Sequence, residues 1–459
     1  MADEEKPVEV GSFRVARERM LEILKNYQLP EPRWFGKSVL RAACVGGATR
    51  FDVSQVREED GLFKFVRGVC GVEFRFDGEP LSPAELKDPF AALVQEEDGA
   101  TARGRELAFG LVNALRLEPK SMTLTSGSGA GRVEVSIHND LSLESRPAPG
   151  TDTGTVLRLV WGSLFDFGCK DLLGPVAPAC RFPVVVDGTP WAYATDRPGL
   201  LGRDFEKGAL RGRVRIPDVV GRPGRLDLFV HGVFAESVTM DGARVSVDGF
   251  ADAPGLRLNL SQAAVVRDAA FDGALRLAGR EGELLMLDEA AEQGRCMSGI
   301  VRELYEPGLR RVWNESLGGA DAWMVVERDD LGSRVERLWS KLRELSGDDA
   351  PAARKRRLIA DAARTAWLRE AAVRLLGDFD ADAADPLLAK LWAAPLLAAA
   401  DGGTVKLEEF FALQRKHGRI PVTRKPGKSG GETRVWLACE EDSLFLSRMA
   451  EKERWTFSE

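Results

Sequence analysis

Cysteine and histidine are the side chains best suited to metal binding and thiol chemistry, and this sequence offers few of them in usable patterns. The chain has six cysteines and three histidines among 459 residues. No two cysteines form a CxxC pair, which argues against a zinc site. We therefore predict no metal site and interpret the cysteines as ordinary buried or surface thiols. They are Cys44, Cys70, Cys169, Cys180, Cys296 and Cys439.

A run of basic residues near the C-terminus is the other group that could bind a charged partner. Proteins that bind single-stranded nucleic acid combine basic groups with stacking aromatic side chains. No aromatic residue interleaves with this run, and Pro421 and Pro426 interrupt it. We interpret it as a solvated loop and do not expect nucleic-acid contact. Its basic residues are Arg415, Lys416, Arg419, Arg424, Lys425 and Lys428.

Composition predicts a soluble, multi-domain protein. Hydrophobic residues make up 44% and charged residues 29% of the chain, and the formal net charge is −7. This balance gives no general attraction to nucleic acid or to anionic membranes. No apolar run approaches the roughly 20 residues that span a bilayer. The acidic start MADEEKPVEV is unlike a signal peptide. We expect a cytoplasmic location and no membrane partner.

The apolar pattern predicts mixed helices and strands in the first region. From Phe13, apolar residues recur at helical spacing until the proline-containing break at 30–32. Ser82, followed by Pro83 and Glu85, is typical of a helix start. The further predicted elements are strands at 50–53, 62–66, 72–76, 121–125, 132–138 and 155–161, and a helix at 105–117. This order predicts an α/β fold with helices on one face of a mixed sheet.

The segment from Phe13 to Asp52 resembles the opening of the 90-kDa heat-shock chaperone family. It has the family's order of an aromatic residue, an amphipathic helix, a short break and a second helix. Phe13 and Phe35 match the family's two aromatic positions, and the ending GATRFDV is also close to the related MutL ATPases. The resemblance implies a GHKL fold, the ATP-binding α/β sandwich that these proteins share with histidine kinases.

The resemblance also locates the family's catalytic positions, where this chain has residues of the wrong chemistry. The general-base glutamate falls on Ser38 and the magnesium-binding asparagine on Ala42. A carboxylate to activate water and an amide to orient the metal are therefore both absent. The family motif Asp-x-Gly-x-Gly binds adenine through its aspartate, and that position holds Phe76.

Five residues are candidates for a remnant of the family's nucleotide pocket: Asp77, Gly78, Gly104, Gly110 and Thr155. Asp77 lies one residue after the family's aspartate position. On a strand this offset turns the side chain to the opposite face of the sheet, so Asp77 is alternatively a turn residue. Gly104 and Gly110 fall in the stretch that resembles the phosphate-binding lid, which ends at a helix N-terminus. Thr155 matches an adenine-contacting threonine, or alternatively begins an ordinary strand.

A second match lies further along the chain. The run FPVVVDGTPW after Arg181 predicts a strand and a hairpin that open a new domain. The stretch from Leu226 to Val266 then resembles the chaperones' middle domain. In that family an arginine of the last loop reaches the γ-phosphate. Here the position is Gln262, which has no charge and cannot form the paired hydrogen bonds of a guanidinium.

Beyond residue 300 the sequence resembles no family. Helical spacing of apolar residues predicts amphipathic helices at 335–345 and 358–375. These form either a bundle core or a partner or dimer face, to which Trp339 and Trp367 would contribute. On the second interpretation, a chain ending near residue 300 would stay folded and lose its associations. The stretch from Pro395 onward predicts a small α/β unit.

The sequence thus predicts an α/β protein of three regions after an acidic flexible tail at 1–12. They are a degenerate GHKL ATPase-like domain at 13–165, a chaperone middle-like domain at 180–300 and a mainly helical or α+β region at 301–459. The resemblance implies a chaperone-like pseudo-ATPase that acts as a scaffold for protein partners, with homodimerisation as an option. We expect no cofactor, or weak binding of ATP or ADP. The alternative is an active ATP-dependent chaperone in which Glu106 or Asp77 replaces the lost groups.

Overall fold

The computed structural model describes most of the chain. The described residues are 19, 21–23, 25, 31–59, 67–94, 102–161, 168–173, 182–191, 201–217, 220–259, 262–305, 309–313, 323–327, 350–375, 385–418, 420–423, 427, 433–437, 440–453 and 457–458. Contacts between Cα atoms divide the chain into two compact units. The first comprises Met1–Ala194, Phe229–Glu236 and Asp252–Val266. The second comprises Thr195–Leu228, Ser237–Ala251 and Arg267–Glu459.

The first unit contains short helices and one large sheet. A 3-10 turn at Pro32–Trp34 precedes the helices α1 (Phe35–Val45), α2 (Pro83–Lys87), α3 (Ala91–Val94), α4 (Ala102–Leu115) and α5 (Cys169–Leu173). The strands are β1 (Phe51–Glu59), β2 (Arg67–Phe76), β3 (Ser121–Ser126), β4 (Val133–Ile137), β5 (Leu143–Pro147), β6 (Thr155–Val160), β7 (Val184–Val186) and β8 (Thr189–Pro190). The predicted helix start at Ser82 is confirmed, because Ser82 and Glu85 form a reciprocal capping box with Pro83 at the first helical position.

The eight strands form a mixed sheet in the order β5-β4-β3-β6-β2-β1-β7-β8. Neighbouring strands are antiparallel except β1 and β7, which pair in parallel from Phe51 with Val184 to Val53 with Val186. The hairpin β7–β8 therefore extends the first sheet, whereas the sequence analysis places it at the start of a new domain. Its local pattern identifies a hairpin correctly, but pairing with a strand more than a hundred residues earlier leaves no local pattern.

Aromatic side chains connect α1 to the sheet. The Phe35 ring meets the Phe74 ring edge-on, with 5.5 Å between centroids. Phe51 stacks on Phe76 at 5.8 Å. Alternation along β3 buries Met122 and Leu124 while their neighbours are more exposed. The first core thus lies between the sheet and the helices, as the period-two and helical patterns predict.

The second unit contains longer helices. The helices after residue 266 are α6 (Ala269–Tyr305), α7 (Ala350–Leu375), α8 (Pro386–Ala393), α9 (Leu407–His417) and α10 (Glu440–Glu453). The remaining strands are β9 (Gly202–Lys207), β10 (Leu210–Arg215), β11 (Arg225–Val230), β12 (Val233–Thr239), β13 (Asp248–Asp252), β14 (Leu309–Trp313), β15 (Trp323–Glu327), β16 (Pro395–Ala399), β17 (Thr404–Lys406), β18 (Ile420–Thr423), β19 (Val435–Trp436) and β20 (Phe457–Ser458). Of these, β11, β12 and β13 each have residues in both units. Three further sheets have the orders β12-β11-β13-β10-β9, β14-β15 and β17-β16-β19-β18-β20.

Residues after 300 are part of the core of the second unit. Met297, Ile300 and Val301 of α6 share a buried cluster with Trp436 and with strand β16. Trp367 of α7 is 1% exposed. Its indole donates a hydrogen bond to the Ser246 carbonyl. The interpretation of Trp367 as an interface residue is therefore wrong, because helical periodicity cannot tell an apolar face that packs internally from one that awaits a partner.

The α/β fold class is confirmed at this coarse level, and so is the small α/β unit after Pro395. The predicted helix at 358–375 lies within α7. The predicted strand at 62–66 and the predicted helix at 335–345, with Trp339, lie outside the described residues. No helix in the described part of the chain is long and apolar enough to cross a membrane.

Candidate functional site

Ser38 and Gln262, which are 224 residues apart in the sequence, are in direct contact. The Ser38 hydroxyl donates a hydrogen bond of 2.9 Å to Gln262 Oε1. Ser38 is fully buried and Gln262 is 7% exposed. Both belong to the first unit. The two positions that the chaperone resemblance assigns to the general base and to the phosphate-binding arginine thus meet through a neutral hydrogen bond.

A structured turn presents Gln262 to α1. The Gln262 backbone has φ +52°, a left-handed conformation uncommon for a residue with a side chain. Its amide donates to the Asn259 carbonyl at 2.8 Å. Asn259 Oδ1 accepts hydrogen bonds from the amides of Ala263 and Ala264. Glu236 Oε1 accepts one from the Val265 amide at 2.6 Å. These side-chain contacts hold the turn in place although its sequence has no glycine.

Lys37 lies beside Ser38 in an apolar setting. Lys37 as a residue is 7% exposed. The amine lies 4.2 Å from the centre of the Trp34 ring and 5.5 Å from that of Phe234. Burial, and after it the charge of Arg41, lower the pKa of the Lys37 amine to about 8. The sequence analysis did not single out Lys37. Its signal would have been the helical spacing of Trp34, Lys37 and Arg41.

The next turn of α1 carries Ala42, where the chaperone resemblance implies a magnesium-binding asparagine, and beside it Arg41, which faces a buried carboxyl. Ala42 is 1% exposed and offers no side-chain ligand. Arg41 Nε lies 3.5 Å from Glu106 Oε2 of α4. Burial raises the pKa of the Glu106 carboxyl, and the charges of Arg41 and Arg105 only partly oppose this. Arg41 Nε, Arg41 Nη1 and Glu106 Oε2 are buried without a hydrogen-bond partner among the described residues, so the contact between Arg41 and Glu106 is a charge attraction and not a hydrogen bond.

Phe76 packs in the core, whereas Asp77 accepts hydrogen bonds at the surface. Phe76 is buried at the end of β2 and stacks on Phe51. The exposed Asp77 carboxylate accepts hydrogen bonds from the amide and hydroxyl of Thr49 and from the Arg50 amide. This arrangement is that of the turn residue that the sequence analysis considers as an alternative.

The four other pocket candidates occupy different places. Gly78 has φ +100°, and a Cβ there would lie 2.7 Å from the Gly46 carbonyl, so glycine permits a close backbone approach. A Cβ on Gly110 would lie 2.9 Å from Val39 Cγ2, where α1 and α4 are in contact. Thr155 is buried and shares a 2.8 Å hydrogen bond with Ser126. Gly104 lines a cleft.

This cleft has a volume of about 530 Å³. Its walls come from the end of α1, from residues of the segment 79–92 and from the start of α4. Among the described lining residues, Glu79, Glu85 and Asp88 are acidic and Arg103 is basic. A phosphate chain would therefore meet net negative charge.

The guanidinium of Arg103 is already engaged by protein groups. It donates to both carboxylate oxygens of Glu85, the shortest contact being 2.7 Å. It also donates to the carbonyl and carboxylate of Glu79. Burial raises the pKa of the Glu85 carboxyl, but hydrogen bonds from Ser82 and Arg103 outweigh burial and lower it overall. The basic residue at the start of α4 is thus paired with carboxylates. The sequence analysis missed this pairing, whose partner Glu85 lies 18 residues earlier.

No protein-family model matches this sequence, and no curated protein matches it either. The resemblance to the chaperones therefore stays a prediction based on the residues named above. Within the described residues, no group of three or more histidine, cysteine, aspartate or glutamate side chains could hold a metal ion.

Proposed function

We propose that this chain is a chaperone-like pseudo-ATPase, a scaffold for protein partners that has lost nucleotide hydrolysis. The observation that carries the proposal is the buried hydrogen bond between Ser38 and Gln262. Activation of water needs a group that accepts a proton near physiological pH, and a serine hydroxyl that donates to an amide oxygen does not supply one. Stabilisation of a phosphoryl transition state needs positive charge, which Gln262 lacks.

The cleft near α4 gives independent support. Arg103 is the described lining residue best suited to bind phosphate, yet Glu85 and Glu79 saturate its hydrogen-bond donors. Binding of a triphosphate would have to break this charge-assisted pairing and overcome the charge of the remaining carboxylates. Retained nucleotide binding should accordingly be weak and independent of Mg²⁺.

An active ATPase with replacement groups is less well supported. Asp77 and Glu106 are the carboxylates considered for that role. Asp77 is occupied by the turn at Thr49 and Arg50, and Glu106 lies against Arg41. Neither is among the residues that line the described cleft.

Measurement of ATP turnover tests the proposal. The purified full chain with Mg²⁺ and ATP should release phosphate no faster than a heat-inactivated sample. The variants Glu106→Gln and Asp77→Asn should give the same background, which excludes these carboxylates as bases. Turnover above background that disappears in either variant would overturn the proposal and establish the replacement-group alternative.

Calorimetry with ADP and ATP tests the prediction that any nucleotide binding is weak and independent of Mg²⁺. We expect weak heats that do not change when Mg²⁺ is omitted. Tight, Mg²⁺-dependent binding would contradict the assignment of a degenerate pocket, even if turnover were absent. The scaffold role has its own readout, which is recovery of specific protein partners, or of a second copy of the chain, by pull-down from the native host.

A further inference from the structure

The cleft beside α4 has the size and the walls of a binding site. Its volume of about 530 Å³ lies within the range of about 300–1,000 Å³ that is usual for ligand pockets. Apart from its charged groups and Ser82, the described lining residues are apolar or glycine. They include Val45 at the end of α1, Leu81 and Pro89 on either side of α2, and Leu107 of α4. Such walls gain free energy by burying aliphatic groups.

The charges that line this cleft are predominantly negative. Glu79, Glu85 and Asp88 contribute three carboxylates, and Arg103 is the single cation among the described lining residues. Arg103 is paired with Glu85 and also contacts Glu79. Its charge is therefore balanced within the protein, and the cleft keeps a surplus of negative charge that attracts cations and repels anions.

The carboxylates lie at different depths. The Glu79 side chain is 78% exposed and stands at the solvent side, whereas the Glu85 side chain is 19% exposed. Asp88 accepts a hydrogen bond of 3.2 Å from the Phe90 amide just before α3, which fixes the direction of its carboxylate. A cation that enters from solvent thus meets Glu79 first.

The walls and the geometry indicate an organic cation rather than a metal ion. Within the part of the chain that the structure describes, no three carboxylate, histidine or cysteine groups are close enough to hold a metal. Lysine and arginine side chains combine a charged head with an aliphatic stem. These two properties match the negative charge and the apolar walls of the cleft.

We propose that the cleft beside α4 is a docking site for a short basic segment of a partner protein, in which lysine or arginine lies next to apolar residues of leucine size. The apolar side chains would contact Val45, Leu81 and Leu107, and the cationic head would lie near Glu79 and Asp88. Charge complementarity favours such a segment and rejects an acidic one. This inference rests on the proposed scaffold role, because it names the class of partner that the scaffold binds.

Fluorescence anisotropy with labelled peptides tests the site on the full chain. The probe is the hexapeptide Leu-Lys-Leu-Leu-Arg-Leu. One control peptide has glutamate at both basic positions, and the other has serine in place of every leucine. We expect the probe to bind at least about tenfold more tightly than either control at low salt, and its affinity to fall as salt rises, because salt screens exposed charge pairs. Equal binding of the serine peptide would overturn the proposal, and so would equally tight binding of hexylamine, which would identify a small amine as the occupant.

A pair of charge-neutral substitutions locates the binding in the cleft. Glu79→Gln with Asp88→Asn removes two negative charges but keeps the side-chain shapes, the helix-capping ability of residue 88 and the pair of Glu85 with Arg103. Circular dichroism should therefore stay unchanged, while the affinity for the probe should fall about three- to tenfold, the range for two partly exposed charge pairs.

The matched control removes the same charge outside the cleft. Glu144→Gln with Asp152→Asn, both in the same unit, should bind the probe like the native chain. Unchanged affinity in the cleft variant, or an equal loss in the control variant, would overturn the proposal. Phosphate release is measured separately. Background release without probe binding overturns this inference alone, whereas turnover of ATP overturns the pseudo-ATPase proposal.

Discussion

At the residue scale, the buried hydrogen bond between Ser38 and Gln262 is the central contact of the candidate site. A buried hydroxyl and a buried amide satisfy each other, so neither is available for a reacting group. The positive φ of Gln262 adds a backbone cost that the contact helps to offset. These features suit a structural link between the turn and α1 better than a reaction centre.

The variants Ser38→Ala and Gln262→Ala should each destabilise the protein by about 1–3 kcal/mol, because each leaves a buried polar partner without this hydrogen bond. The double variant should cost less than the sum of the two, by about 1 kcal/mol. Urea unfolding measures all three. The exposed Ser54 of β1 gives a matched control, and Ser54→Ala should stay within about 0.5 kcal/mol of the native chain. Additive effects would show that the Ser38–Gln262 contact contributes nothing.

Glu85 should make stability depend on acid pH. Its pKa is lowered in the folded state, so its contribution is complete above the unfolded value of about 4.3 and is lost as the pH falls through the folded value. Glu85→Gln should cost about 1.5–3 kcal/mol at neutral pH, since it breaks a charge-assisted pair with the buried Arg103. The difference between variant and native chain should narrow below about pH 4.

Unfolding midpoints from about pH 7 to pH 3 test this prediction. Glu22→Gln, at an exposed position of the same unit, is the matched control and should follow the native curve. If the difference in unfolding midpoint between Glu85→Gln and the native chain stays constant with pH, the ion pair with Arg103 is not the cause of the lost stability.

At the element scale, the contact between α1 and α4 depends on a glycine. Gly110 was a candidate for the nucleotide pocket, but the structure places it against Val39, where a Cβ would lie 2.9 Å from Val39 Cγ2 and 3.3 Å from the Val39 amide nitrogen. The close approach of the two helices thus requires the absence of a side chain at Gly110.

Gly110→Ala should therefore destabilise the protein by about 1–3 kcal/mol through overpacking, despite the higher helix propensity of alanine. Gly273 of α6 is the matched control, because nothing lies within 4 Å of a Cβ there. Gly273→Ala should stabilise by about 0.5–1 kcal/mol. Thermal unfolding of the two variants separates overpacking at Gly110 from the gain in helix propensity at Gly273. Equal stabilisation by both substitutions would refute the close contact between α1 and α4.

At the scale of the whole molecule, the region after residue 300 is part of a core. Arg369 donates to the Leu396 carbonyl and to Asp442 within the second unit. Arg364 pairs with Glu289 and Asp361. Together with Trp367 and the cluster around Met297, these contacts join α6, α7 and the C-terminal sheet.

A chain ending near residue 300 should consequently lose the fold of its second unit, contrary to the expectation from the sequence. Removal of α7 and the C-terminal sheet would expose Met297, Ile300 and Val301. Aggregation in size-exclusion chromatography and loss of helical signal in circular dichroism are the expected results. Trp367→Ala in the full chain should cost about 3–5 kcal/mol, and Trp367→Phe should cost less. A truncated chain that stays monomeric and keeps the helical signal expected for its remaining helices would contradict the prediction that the second unit loses its fold.

The sequence by itself determined the features that depend on local periodicity and capping. Side-chain patterns predicted β3, β4 and β6 and parts of β1 and β2, but not β5. Ser82 with Glu85 predicted the start of α2, because hydrogen bonds between near neighbours decide it. On the chaperone resemblance, the residue types at Ser38, Ala42 and Gln262 predict the absence of a base, a metal ligand and a guanidinium, and this stays a prediction.

Only the tertiary structure decided which distant residues meet. The contacts of Ser38 with Gln262, of Lys37 with Phe234 and of Arg103 with Glu85 depend on how the chain returns to itself. The same holds for the parallel pairing of β7 with β1 and for the burial of Trp367. A sequence pattern shows that one face of a helix or strand is apolar or charged. It does not show which other element packs against that face, because the energies of burial and pairing depend on which surfaces are adjacent in the folded chain.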